Sequence, residues 1–324
     1  MTNTAQAQLG SVLAAGGPEL AELLERTEGR LARVAETHGD ELGRHAGGTL
    51  AAGGKRLRPV LVFLSAGDPD ERLVAAGTAV ELLHMATLVH DDVLDAAELR
   101  RGRPTVFAEG GRLAATTTGD LLFSRAFAEL ASTGSPEAVG WLSEASSALA
   151  RGELMQRADA WRPDVTQERY LERCRLKTAS LFAASCRLGA IFGGRPAMAD
   201  PLGSFGEDVG LAFQMLDDVL DVSGPAERTG KPRGTDLLDG TVTLPLILAR
   251  GRDPALLELH QGLTAEQAEA LCDRIAATGS LEAARAQALE HVGRAKQSLA
   301  QIDLPPQRRE ALELVADGVV ERYA

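Results

Sequence analysis

The chain of 324 residues has a formal net charge of −12, with 44% hydrophobic residues and only 4% aromatics. An acidic surface argues against general binding to nucleic acid or an anionic membrane, which would repel it. Scarce aromatics and the lack of any sustained run of alternating β-branched residues exclude a sheet-built fold, leaving an all-α one. Three cysteines, Cys174, Cys186 and Cys272, lack metal-ligand spacing and cannot all pair, which fits small core residues in a reduced, cytoplasmic setting. Residues 1–17 lack the basic and apolar stretches of a signal peptide, and no apolar run is expected to reach transmembrane length. No composition shift, repeat or low-complexity segment divides the chain, so a single domain over residues 1–324 is expected.

From Pro18 to His45, apolar residues recur at helical spacing and predict an amphipathic helix or helix pair. Gly53-Gly54-Lys55-Arg56-Leu57-Arg58-Pro59 follows, a tight Gly-rich turn that presents cations at the start of the helix 60–66. Leu73 to Asp95 reads as a central helix, apolar on nearly all sides. His84 lies two turns before Asp91 on the same face, either as a hydrogen-bonded core residue or as a phosphate contact. Arg100-Arg101-Gly102-Arg103-Pro104-Thr105 is a basic loop, either simply solvated or holding a polyanion. Helices are predicted over Thr116–Leu130, Pro136–Gln156 and Tyr170–Phe192. The last carries Lys177-Thr178, with Lys177 either snorkelling or facing a phosphate. Pro201 to Val222 is a second central helix containing Phe213-Gln214, followed by the basic loop around Gly230-Lys231-Pro232. Thr243-Leu244-Pro245 opens the next helix, and three amphipathic helices complete the chain.

The two central helices end on one spelling, Asp91-Asp92-Val93-Leu94-Asp95 and Asp217-Asp218-Val219-Leu220-Asp221. The first and last Asp of each stretch lie one turn apart on one face, where like charges repel and no helix stability is gained. A hard divalent cation removes that repulsion, and Mg²⁺ is commonly shared between carboxylates and substrate phosphates. One such stretch alone would read as a solvated helix end; two with basic loops between them point to a metal-diphosphate clamp.

On these motifs, from about Gly53 to Pro245, the chain resembles the trans-polyprenyl diphosphate synthases, head-to-tail isoprenyl chain-elongating prenyltransferases of isoprenoid biosynthesis. The resemblance implies an isoprenoid synthase fold with helices around a deep central cavity, a homodimer, and Mg²⁺ as cofactor, three ions in number. It implies that Asp91, Asp92, Asp95, Asp217, Asp218 and Asp221 hold the metal against an allylic diphosphate (geranyl, farnesyl or geranylgeranyl). Arg100, Lys177, Thr178, Gln214 and Lys231 would contact that diphosphate, while Lys55, Arg58, His84 and Arg101 would bind isopentenyl diphosphate. Thr241 departs from the pattern, since many relatives carry Lys there. The matched second acidic stretch disfavours a class I terpene cyclase, and the intact aspartates disfavour a non-catalytic subunit of a heteromeric synthase.

Product length is expected from Ala86 and Thr87, one turn below Asp91. Short-chain members carry bulky aromatics at these positions, whereas here both residues are small. Each helical turn deepens a tunnel by about 5.4 Å, roughly one isoprene unit. A cavity reaching past Leu83 to a floor at Phe127 or Phe123 implies a long-chain product. A farnesyl or geranylgeranyl diphosphate synthase is the alternative.

Overall fold

A computed structural model describes residues 3–36, 39–51, 56–100, 102–224, 233–257 and 260–321. Helices α1 (Asn3–Gly16), α2 (Pro18–Glu36), α3 (Asp40–Ala51) and α4 (Leu57–Ser65) lead into the central α5 (Arg72–Leu94). The predicted opening pair is thus α2 and α3, and α1 before it was not anticipated. The basic loop forms a small antiparallel hairpin, β1 (Leu99–Arg100) on β2 (Arg103–Pro104), in the register Leu99↔Pro104 and Arg100↔Arg103.

Helix α6 (Val106–Ala131) starts ten residues before the predicted 116 because the Thr105 hydroxyl accepts a hydrogen bond from the Ala108 N–H at 3.0 Å and caps it there. Next come α7 (Pro136–Asp159) and α8 (Gln167–Cys174), a π-helical turn (Arg175–Ala179) and α9 (Ser180–Phe192). The second central helix is α10 (Ala199–Ser223), followed by α11 (Thr235–Leu238), α12 (Leu244–Arg250), α13 (Ala265–Ala277), α14 (Ser280–Ala300) and α15 (Pro306–Glu321). The fold is all-α but for the hairpin, as composition required.

Helix α5 packs most extensively on α6 and also meets α4 and α9, while α10 packs on α9 and α14. Helix α9 therefore stands between the two central helices. The interior run of α5 is buried on every side, with Leu82, Leu83 and Ala86 fully inaccessible. Burying each such leucine stabilises the fold by about 1.5–3 kcal/mol. Against the sequence reading, α5 is long and apolar enough to cross a membrane, but most of it is enclosed by the neighbouring helices, as in the core helix of a folded domain. The three cysteines are free and buried, as expected.

Candidate active site

The C-terminal ends of α5 and α10 reach one cavity of about 270 Å³, lined by Asp91, Asp95, Asp217 and Asp218. A helix C-terminus already carries the negative end of the backbone dipole, so carboxylates there add to an unfavourable potential that a cation would relieve. Burial pushes the Asp91 carboxyl up to about 6, even with Lys177 beside it. The same cause pushes Asp218, almost inaccessible to solvent, up to about 6.

The resemblance assigns all six aspartates to the metal site without making each a direct ligand; in the structure four of them line the cavity. Asp92 is buried and turned away, held by Arg100 Nε at 2.8 Å and Nη2 at 2.7 Å, and it lines a neighbouring cavity of about 230 Å³. Asp221 lies outside the cavity lining and accepts the Asp236 N–H at 3.2 Å. Asp92 is rotated about 100° around α5 from Asp91, which turns it toward Arg100 of the hairpin. Asp95 faces the cavity and pairs with Arg157 Nη2 at 2.5 Å. Among the described residues, no three carboxylate, imidazole or thiol groups form a ready-made metal cage. An all-oxygen donor set split across a cavity nevertheless fits Mg²⁺, which usually keeps several waters and completes its shell with substrate phosphates.

The cations come from other elements. Lys177 and Thr178 sit on the π turn, a geometry frequent at functional sites, and adjacent residues there both line the cavity. Lys177 pairs with Glu153 of α7 and donates to Gln156 Oε1 at 3.3 Å. Burial opposes ionisation of Glu153, but Lys177 and Arg157 together hold its carboxyl below the ordinary range. Gly152 permits this approach, since a Cβ there would lie 2.5 Å from the Lys177 backbone nitrogen. Thr178 Oγ1 donates to Gln214 Oε1 at 2.6 Å, and Gln214 Nε2 donates to Asp218 Oδ1 at 2.8 Å. Arg58 also lines the cavity, its guanidinium 4.8 Å above the Phe182 ring. His84 and Arg100 border both cavities.

Of the predicted residues, then, Arg58, His84, Thr87, Asp91, Asp95, Arg100, Lys177, Thr178, Gln214, Asp217 and Asp218 share one cavity. Lys55, Arg101 and Lys231 lie outside the described residues. Ala86 is not brought to the cavity: it is fully buried on the stripe that, one turn on, carries His90 against Gly119 of α6. Nor is Phe123, which is 37% exposed on α6, its ring centroid 5.2 Å from that of the half-buried Phe127.

Sequence reasoning missed Glu153, Arg157, Tyr170, Arg173, Asp236 and Asp239. The i, i+4 spacing of Glu153 and Arg157 and the i, i+3 spacing of Asp236 and Asp239 after a basic loop were available signals. Nothing local marked Tyr170, whose hydroxyl reaches Asp218 from 48 residues away.

Paired acidic helix ends facing cations across one cavity are the arrangement expected of a diphosphate-handling site of the isoprenoid synthase type. The sequence model described as polyprenyl synthetase matches residues 40–277, and the chain belongs to that family, whose enzymes are trans-prenyltransferases acting on isopentenyl and allylic diphosphates with divalent metal ions. It is 46% identical over 234 residues to heptaprenyl diphosphate synthase component 2 of Geobacillus stearothermophilus, covering 71% of this chain and 73% of that one. It is 38% identical over 290 residues to a short chain isoprenyl diphosphate synthase of Methanothermobacter thermautotrophicus, covering 84% and 88%. A crystal structure of heptaprenyl diphosphate synthase from Staphylococcus aureus superposes with a TM-score of 0.90 at 29% identity, covering 94% of this chain and 99% of that one.

Proposed function

We propose that this polyprenyl diphosphate synthase makes a long-chain product, beyond geranylgeranyl diphosphate, by condensing isopentenyl diphosphate with an allylic diphosphate. The observation that carries the reading is Thr87. It is a small residue on the cavity wall one turn from Asp91, where a bulky side chain would stop a growing chain. Similarity to a heptaprenyl synthase supports the reading, although a short chain synthase is also among the relatives.

In this mechanism Arg58 and His84 hold the diphosphate of isopentenyl diphosphate, with Lys55 and Arg101 from the matching motifs. Arg100, Lys177, Thr178 and Gln214 hold the allylic diphosphate. Asp91, Asp95, Asp217 and Asp218 would hold Mg²⁺, which when bound supplies charge neutralisation for the leaving diphosphate. The fixed cations stabilise negative charge where it develops as the allylic C–O bond breaks. Leu88, Leu149, Leu181 and Phe213 line the cavity and keep water from the allylic cation until the alkene attacks it. The proton lost as the new double bond forms passes to the departing diphosphate. The protein acts as a homodimer in this reading.

Incubating the purified chain with Mg²⁺, isopentenyl diphosphate and farnesyl diphosphate, then measuring product lengths, tests the proposal. Products longer than C20 are expected, and a farnesyl or geranylgeranyl end point overturns it. The relative named component 2 favours a second reading, in which the chain turns over only with a different partner subunit. No turnover by the chain alone, with activity restored by such a partner, would select it.

A further inference from the structure

The cavity's cations are unevenly committed. On the side of the first acidic cluster, Arg100 pairs with Asp92, Arg157 with Asp95 and Glu153, and Lys177 with Glu153. Arg173 of α8 also lines the cavity, where its charge acts on Asp218 and Asp236 of the second-cluster side, yet among the described residues it forms no close ion pair with a carboxylate. Its side chain is 3% exposed. Nη2 donates to the Val242 carbonyl at 2.7 Å, the guanidinium lies 5.3 Å from the Tyr170 ring centroid, and Nη1 is buried with no hydrogen-bond partner. A buried guanidinium without a close carboxylate is costly to the fold, and the unpartnered Nη1 keeps an N–H available to a ligand.

Its anchor matters too. Val242 follows Thr241, itself a cavity residue whose backbone N–H donates to the Asp236 carbonyl at 2.8 Å. The turn that brings no cation at Thr241 is therefore the turn to which Arg173 is tied.

Resting on the proposed prenyltransferase reading, we infer that Arg173 is a further substrate-binding residue, supplying positive charge to the allylic diphosphate from the second-cluster side in the place Thr241 leaves uncharged. Cations arriving through space from α8, rather than through sequence from 241, then complete the diphosphate's surroundings.

The test uses the full chain, with inorganic diphosphate plus Mg²⁺ as calorimetric probe and steady-state kinetics alongside. Arg173→Gln should weaken diphosphate binding about tenfold or more and raise KM for farnesyl diphosphate while leaving that for isopentenyl diphosphate within twofold. Adding Thr241→Lys to Arg173→Gln should recover most of both losses, which a purely structural role of Arg173 would not allow. Unchanged diphosphate binding, an equal rise in both KM values, or no recovery by Thr241→Lys overturns the inference. Should Arg173→Gln fail to fold, Arg173→Lys carries the test, with a severalfold loss of diphosphate affinity expected and wild-type affinity overturning the inference. A wild-type chain that binds diphosphate but forms no product with any partner would instead sink the prenyltransferase reading.

Discussion

The Tyr170 hydroxyl donates a 2.7 Å hydrogen bond to Asp218 Oδ2, while Gln214 holds the other carboxylate oxygen at 2.8 Å. Both oxygens of Asp218 are thus occupied by protein donors, whereas its neighbour Asp217 faces the cavity one position along the helix. Asp218 belongs to the support of the site as much as to its working surface. Tyr170→Phe should raise the Mg²⁺ concentration needed for half-maximal activity by about 10–100-fold, as for lost partners behind metal ligands. A Mg²⁺ titration of turnover matching wild type would remove Tyr170 from that role.

Asp218 gives a pH-dependent stability signature. Its carboxyl is pushed up to about 6 from the ordinary 3.8, so between those values the folded chain binds more protons than the unfolded one. Its contribution to stability therefore falls as pH rises through that window and is fully unfavourable above it. Metal-free Asp218→Asn should melt above wild type at pH 7.5, with the advantage shrinking toward zero near pH 4. The Tyr170 hydroxyl can turn to accept from the new amide, which keeps the pair satisfied. Thermal unfolding of both proteins across this range checks the sign, and an advantage that grows toward acid would contradict it.

Asp91 and Asp217 stand at corresponding places on the two central helices and face one cavity. Replacing either by alanine should cost about 10²–10³-fold or more in turnover, the scale of losing one preorganised electrostatic group. The helical circular dichroism should be unchanged, since neither carboxylate is a core contact. Near-normal turnover in either variant would defeat the two-cluster mechanism.

Gly152 sets how closely α7 approaches the π turn. A methyl group there meets the Lys177 backbone at 2.5–2.8 Å, and backbone cannot swing aside as a side chain can. Gly152→Ala should cost about 1–3 kcal/mol of stability through overpacking. It should also lower turnover by displacing Lys177 and Glu153. Urea unfolding with wild-type stability would show that the helices yield more easily than this contact implies.

Chain length discriminates the two small residues of α5. Thr87→Phe puts an aromatic ring into the cavity and should shorten the product by at least one isoprene unit. Ala86→Phe instead overfills the sealed stripe facing α6 and should show chiefly as a stability loss of about 1–3 kcal/mol. Product chromatography and melting curves of the pair decide between them; an unchanged product from Thr87→Phe would place the limiting wall elsewhere.

The sequence by itself determined the helical class, the two central helices and the matched acidic ends, because apolar periodicity and the spelling of a motif are local properties. It also determined which residue types the chemistry requires, as with Lys177, Gln214 and the paired aspartates. Tertiary structure alone decided which of them face the cavity. Helix α5 is apolar on all sides, so no amphipathic stripe fixes its rotation, and only packing against α4, α6 and α9 turns Asp91 and Thr87 inward while turning Asp92 and Ala86 away. The same packing brings Tyr170 to Asp218 and ties Arg173 to the turn at Thr241, pairs separated by tens of residues that no local pattern could link.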